Sequence, residues 1–236
     1  MKIFVGTSGY GYKEWKGNFY PEKISADKML SFYSGRLETV EVNNTFYRMP
    51  TEPVVMGWAK QVPPGFMFAI KAPQMITHIK RLKNVKEETR FFLKSVSRLG
   101  KKLGCVLFQF PASFRQDAET LGNFLGLIPE KIPCAFDFRS SSWMDMKIFG
   151  LLRDKGCCLC MEDTDEKSVE EIVGTTSWGY LRLRRPDYSE GDLSGWAKKI
   201  SLQKWKTAFV FFKHEDDSAA RGPALALRFR ELTGSK

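Results

Sequence analysis

Eight short apolar runs recur along the chain, and all but one neighbouring pair are separated by a stretch of helical periodicity. The runs cover 3–6, 39–43, 66–71, 105–110, 134–138, 157–161, 179–184 and 207–213. Each is rich in Val, Phe, Ile, Leu or Cys and is bounded by Gly, Pro, Asn or Ser, the composition of short buried strands. Helical patterns fill 27–37, 52–61, 86–99, 117–127, 143–155 and 193–201, and a last one follows at 218–232. Strands that alternate with helices pair in parallel, because each crossover returns the chain to the same end of the sheet. Eight such units within 236 residues predict an α/β fold, a single-domain (β/α)₈ TIM-barrel-like structure near its lower size limit. No Pro/Ser-rich linker or low-complexity segment divides it, so one domain over 1–236 is expected.

Composition narrows the class. Hydrophobic residues at 43% and charged residues at 27% exclude a mainly disordered chain. The longest aliphatic and aromatic run, 208–212, is far short of the ~20 residues that span a bilayer. The N-terminal MKIFVGTSGY has no long apolar stretch before a small-residue cleavage site. A soluble, cytoplasmic protein without a membrane partner is the expectation. Cys105, Cys134, Cys157, Cys158 and Cys160 lie in apolar runs, and their odd number argues against a complete disulfide framework. The Cys157-Cys158-x-Cys160 spacing is too tight for the usual zinc motifs, so these read as small buried hydrophobes.

The formal charge of +10 is lopsided. Residues 1–118 hold 19 Lys and Arg against 9 Asp and Glu, whereas 119–236 hold 18 of each. Such a field favours anionic partners: nucleic acid, a phosphorylated small molecule, anionic lipid or another acidic partner. Within the basic surface from Lys80 to Lys102, Lys86, Arg90, Lys94 and Arg98 recur at i+4 and form one stripe of a helix. Phe92, Val96, Leu99 and Leu103 fall on the opposite side, the buried face of an amphipathic helix. The stripe is either a solvated outer face or a surface that tracks phosphates.

The alternation inside each run places the polar residues. A barrel strand sends alternate side chains inward and the others toward the helices. Val40 and Val42 then face helices while Glu41 and Asn43 point inward; Ile70 and Phe108 face out, Lys71 and Gln109 in. Asp137 and Arg139 alternate with Phe136 and Phe138, Tyr180, Arg182 and Arg184 with Leu181 and Leu183, and Lys213 follows Phe212. Polar groups thus collect at the C-terminal ends of at least six strands, the rim where barrel enzymes place their active sites. They form either a ligand site or a network of ion pairs that plugs the barrel mouth.

Several strings recur in a fixed order. The chain reads GTSGYxxxxWxGxFYP from Gly6, VEVNxTFYR from Val40 and then Pro50. Next come Phe66-x-Phe68-x-x-Lys71, His78-x-x-Arg81-Leu82, Gln109-x-Pro111-x-x-Phe114 and Phe138-Arg139-x-x-Ser142-Trp143. In that order they closely resemble domain-of-unknown-function family 72, the YecE-like proteins, from Met1 to about Leu232. The resemblance implies a single TIM-barrel-like domain with no established activity; a likeness to barrel isomerases and apurinic endonucleases is one of fold and not of site. Asp137 stands where many relatives carry Glu, and 212–217 where others have an Asn-rich turn.

The rim chemistry follows from residue type. Lys71, Arg81, Arg139, Arg182, Arg184 and Lys213 are candidate anion ligands, since arginine forks grip carboxylate or phosphate with two hydrogen bonds. Asn43, Tyr47, Arg48, Gln109 and Trp143 join them as candidate substrate-binding residues. Glu41 and Asp137, carboxylates among cations, and His78, next to Arg81, are the candidate catalytic groups for acid/base or phosphodiester chemistry. Glu162 and Asp163 complete the acids of the rim. Arg184-Arg185 and the 218–222 stretch opening the last helix are candidates for a phosphate cradle. Tyr10, Trp15, Tyr20, Phe46, Tyr47 and Trp143 either stack on a base or sugar or pack loops onto the barrel. With only His78 and His214, a multi-histidine zinc cluster is not expected; Mg²⁺ or Mn²⁺ on Glu41, Asp137, Glu162 or Asp163 stays open. No GxGxxG, Walker A or GxSxG string identifies a cofactor.

Overall fold

In the computed structural model, which describes residues 1–166, 168–213 and 220–234, all eight apolar runs are strands. They are β1 Lys2–Ser8, β2 Thr39–Val42, β3 Met67–Lys71, β4 Leu103–Phe110, β5 Cys134–Phe138, β6 Cys158–Asp163, β7 Trp178–Leu183 and β8 Thr207–Phe212. Each pairs in parallel with its sequence neighbours, and β8 closes onto β1 through a six-residue register from Lys2↔Thr207 to Thr7↔Phe212. The helices are α1 Ala26–Ser34, α2 Glu52–Gln61, α3 Lys86–Val96, α4 Ala118–Leu125, α5 Met146–Lys155, α6 Glu190–Ser201 and α7 Arg221–Leu232. Among the described residues no helix joins β6 to β7, the one pair whose connection lacks a helical pattern in the sequence.

Local chemistry moves some boundaries. α6 begins three residues earlier than its apolar periodicity indicates, because Ser189 and Asp192 form a reciprocal capping box. α5 begins after Asp145, whose carboxylate caps the amide of Lys147, and leaves Trp143 in a preceding 3₁₀ turn. α7 begins at Arg221; of the stretch 218–222, residues 218 and 219 lie outside the described part, as do His214 and the rest of 214–219. No helix among the described residues is long and apolar enough to cross a membrane.

The alternation along the strands divides the core in two. Val40, Val42, Ile70, Phe108, Phe136, Phe138, Leu181, Leu183 and Phe212 belong to the large outer cluster packed against the helices. A separate inner cluster fills the barrel with Phe4, Ala69, Cys105, Leu107, Ala135, Cys158, Cys160, Tyr180, Phe209 and Phe211. All five cysteines are buried and unbridged, and burial pushes each thiol up. Tyr33 of α1 reaches between β1 and β2: its hydroxyl donates to the Thr39 carbonyl at 2.9 Å and accepts from the Thr7 amide at 2.9 Å. Beside it, β1 and β2 run so close at Gly6 that a Cβ there would sit 2.0 Å from the Thr39 carbonyl oxygen.

That contact is with backbone, which cannot swing aside. Gly6→Ala is therefore expected to destabilise the barrel by roughly 1–3 kcal/mol or more, the range for overpacking, read as a lower midpoint of urea unfolding.

Candidate functional site

The mouth is built around Arg182, an inward residue near the end of β7. It is 1% exposed, and its guanidinium serves three carboxylates. Nε and Nη2 donate to Oε2 and Oε1 of Glu41, each at 3.0 Å, in the two-pronged geometry that arginine favours. Nη1 donates to Asp137 Oδ2 at 3.0 Å and to Glu162 Oε1 at 3.2 Å. Strand alternation dictates this convergence: Glu41, Asp137, Glu162 and Arg182 are inward positions on β2, β5, β6 and β7.

The remaining lone pairs are also used. Glu41 accepts from the Tyr180 hydroxyl at 2.7 Å and from Asn43 Nδ2 at 3.0 Å. Asp137 accepts from Gln109 Nε2 at 2.6 Å, and Gln109 Oε1 accepts from Lys71 Nζ at 2.6 Å. Burial alone would raise the Glu41 carboxyl, but the Arg182 charge and the hydrogen bonds from Tyr180, Asn43 and Arg182 outweigh it and hold it at about 2. Glu162 moves the other way. Burial and the nearby Asp137 raise it, against the pull of Arg182, Arg139 and Arg184.

Above this layer lies an open cavity of about 280 Å³, lined by Ser8, Tyr12, Asn43, Phe46, Tyr47, Lys71, Gln109, Arg139, Arg182, Arg184 and Lys213. Five of these are cations and none is a carboxylate. Arg184 Nε contacts Glu162 at 3.2 Å and Arg139 Nη2 lies 3.6 Å from it, while both still reach the cavity wall. The Lys71 ammonium rests 4.3 Å above the Phe46 ring. Thr45 holds that ring in place by donating its hydroxyl to the Lys71 carbonyl at 2.6 Å. Two polar atoms of the lining, Ser8 Oγ and Asn43 Oδ1, are buried without a hydrogen-bond partner among the described residues.

The structure brings together most of the residues singled out from the sequence and sets others apart. Asn43, Tyr47, Lys71, Gln109, Arg139, Arg182, Arg184 and Lys213 line the one cavity. Glu41 and Asp137 lie beneath it, at 0% and 2% exposure. His78 sits in a π-helical turn, Met75–Ile79, edge-to-face with the Phe46 ring at 4.7 Å and outside the cavity lining, with Nδ1 against Thr77 Oγ1 at 2.9 Å. Burial and the charges of Lys71, Arg139 and Arg81 depress its imidazole to about 4. Arg81, in the left-handed region at φ 47°, donates to Ser113 Oγ at 3.1 Å outside the cavity lining. Arg48 lines a different surface groove with Pro50 and Trp58.

Trp143 is fully buried, stacked on Phe138 at 4.4 Å with its indole N–H on the Phe114 carbonyl at 2.7 Å. It packs the β5 loop, as Trp15 and Tyr20 pack the first loop. Asp163 faces away from the mouth, bound by Arg185 Nε at 3.0 Å and the Tyr188 hydroxyl at 2.9 Å. Arg185 is thereby drawn to Asp163 and Asp192 and away from any cradle with Arg184. Ser8 and Tyr12 join the cavity without having been singled out as ligands. The β1 alternation, with Phe4 inward, marks Ser8; Tyr12 lies in an irregular loop, where no periodicity points to it. Among the described residues, no group of three or more His, Cys, Asp or Glu side chains is placed to hold a metal ion.

Comparisons with known proteins agree on the fold. A family model described as "Protein of unknown function DUF72" matches residues 4–236. UPF0759 protein YunF of Bacillus subtilis is 26% identical over 227 residues, covering 90% of this chain and 78% of that protein. UPF0759 protein YecE of Escherichia coli is 32% identical over 128 residues, 54% of this chain and 44% of that protein. The crystal structure of a DUF72 family protein from Thermotoga maritima superimposes with a TM-score of 0.87 at 26% identity, over 99% of this chain and 100% of that one. One from Enterococcus faecalis gives 0.77 at 20% identity, over 99% and 98%.

Two outcomes follow from the buried network. Arg182→Met leaves Glu41 and Asp137 without their counter-charge, and a loss of about 3–5 kcal/mol is expected in urea unfolding. Glu41 is held well below its usual 4.5, so the folded state binds fewer protons than the unfolded state between that value and about 2. Its stabilisation is complete above pH 4.5 and is lost as pH falls through this window. Unfolding midpoints measured from pH 6 to pH 3 should fall, and Glu41→Gln should flatten the slope.

Proposed function

The chain belongs to the DUF72 family, and from its barrel mouth we propose that the protein binds a phosphate-bearing molecule there. The observation that carries this reading is the sorting of charge. The carboxylates Glu41 and Asp137 are sealed below with Arg182, while Lys71, Arg139, Arg182, Arg184 and Lys213 line the cavity and no carboxylate belongs to the lining. Guanidinium groups matched to tetrahedral oxyanions, at the C-terminal ends of barrel strands, suit phosphate better than a neutral ligand. A volume of about 280 Å³ lies just below the usual range of ligand clefts, roughly 300–1,000 Å³. That size favours a small phosphorylated molecule, or one terminal nucleotide of a nucleic acid, over a length of duplex.

In this reading Glu41 and Asp137 orient Arg182 and do not touch the ligand. Any acid/base or phosphodiester chemistry falls to groups that reach the cavity. At about 4 the His78 imidazole is neutral at physiological pH, and it stands against Phe46 outside the cavity lining, so it supports the wall of the site.

A second reading, non-catalytic binding of nucleic acid or another acidic partner on the Lys80–Lys102 surface, has one observation of its own. Phe91 is half exposed between Arg90 and Lys94, an arrangement suited to stacking on a base. Against it, much of the surface is internally paired: Lys80 with Glu88, Arg90 with Glu87, and both Lys94 and Arg98 with Glu52.

Calorimetric titration with inorganic phosphate tests the first reading. Binding that weakens with salt is expected, and Arg139→Ala and Arg184→Ala should each cost roughly tenfold in affinity, the value of one charge-assisted hydrogen bond. Absence of binding at low salt removes the reading. Anisotropy titrations with single-stranded, duplex and abasic DNA and with RNA separate the second. Charge reversal at Lys86, Arg90 and Lys94 should abolish nucleic-acid binding made by that surface and leave phosphate binding at the mouth unchanged.

A further inference from the structure

Lys71 differs from the other cations of the mouth in what it lacks. Among the described residues its side chain's one hydrogen-bond partner is the neutral Gln109 Oε1 at 2.6 Å, and it forms no ion pair. Among the described residues three carboxylates stand in the same barrel mouth, but Glu41 and Asp137 are claimed by Arg182, and Glu162 by Arg182 and Arg184. The amine is thus a cation with no counter-charge of its own, pressed against an aromatic face and among guanidinium groups that resist a further positive charge. Under these conditions a lysine gives up its proton readily and becomes a nucleophile.

Resting on the anion site proposed above, we propose that Lys71 is the amine nucleophile of the mouth. It condenses with the carbonyl carbon of a small phosphate-bearing hydroxyaldehyde or hydroxyketone to form a Schiff base. Burial, with Arg182 and Arg139, brings the amine down to about 8, against the opposing pull of Glu41 and Asp137. Roughly a tenth of it is then unprotonated at pH 7, against less than about a thousandth for an ordinary lysine.

The amine lone pair forms the C–N bond while the carbonyl π pair moves to oxygen. That oxygen gains a proton and the nitrogen loses one, both through solvent. Loss of the hydroxyl as water then leaves the C=N bond. One water is released per imine, and no oxidant or reductant is needed.

The lining supplies what such a substrate requires. Arg139, Arg184 and Lys213 reach the cavity for the phosphate. Ser8, nine-tenths buried with its hydroxyl unpartnered among the described residues, and Asn43, with an unpartnered side-chain oxygen, line the same cavity. A substrate hydroxyl or the carbinolamine oxygen would satisfy these two groups, whose burial without a partner is otherwise costly.

The test incubates the whole chain with glyceraldehyde 3-phosphate or dihydroxyacetone phosphate, reduces with borohydride and maps adducts by peptide mass spectrometry. Glyceraldehyde serves as the phosphate-free control. The expected result is a stable secondary-amine adduct on Lys71, reduced at least tenfold by excess inorganic phosphate and by omission of the phosphate from the probe. It should disappear in Lys71→Arg, which keeps the positive charge but has no amine that condenses with a carbonyl. Mapping on the natural sequence does not depend on that variant folding.

If inorganic phosphate binds by calorimetry but the adduct falls on other lysines or on none, the nucleophile is refuted and the anion site stands. An adduct on Lys71 formed equally from glyceraldehyde overturns the phosphate-bearing substrate class. If neither phosphate nor the sugar phosphates bind, both proposals fall together.

Discussion

The bidentate grip of Arg182 on Glu41, extended to Asp137 and Glu162, is the contact on which the rest of the mouth depends. A buried carboxylate is tolerated only with its charge matched and its lone pairs filled. One guanidinium meets most of that requirement for three acids on three strands, and Tyr180, Asn43 and Gln109 complete it. The consequence is a vertical separation of charge. Negative groups are consumed inside the barrel, and the side chains one layer higher are left as a cationic lining.

That layering is a property of the closed parallel sheet. Below the network the interior is apolar, filled by Phe4, Phe209, Phe211 and the small side chains of Ala69, Cys105, Ala135 and Cys158. Successive inward residues climb from this plug to the network and then to the cavity, as Tyr180 and Arg182 do on β7 and Arg184 just beyond its end. Helices and loops fix the heights. Tyr33 joins β1 to β2, Thr45 joins the β2 loop to the end of β3, and Trp143 stacks the β5 loop onto Phe138. Lys71 owes its isolation to the same arrangement: the acids it might have paired with are already held by Arg182.

Much of this is legible in the sequence, because a period of two survives in the strands that carry polar side chains into the barrel. Val40-Glu41-Val42-Asn43 and Tyr180-Leu181-Arg182-Leu183-Arg184 declare which side chains enter the barrel before any contact is known. The connection from β6 to β7, without a helix among the described residues, is equally visible as a stretch without helical pattern. Boundaries are less so. The Ser189–Asp192 capping box starts α6 before its apolar stripe begins, and the polar character of Asp163 conceals its place in β6.

The loop residues read differently. Trp143, Arg48 and His78 sit in strings as distinctive as those of the strands, yet the first packs, the second lines another groove and the third stands against Phe46. A loop has no periodicity to give its side chains a direction, so its chemistry is not tied to its position in the chain. The sequence by itself determined the barrel, its closure from eight parallel strands and the inward set Glu41, Lys71, Gln109, Asp137, Arg182 and Arg184. Only the tertiary structure decided which of those charges neutralise one another and which remain at the cavity. Alternation fixes the side of the sheet a residue faces, whereas pairing depends on the relative height of strands far apart in the chain. Glu41 and Arg182 meet across 141 positions because barrel closure sets them at one level.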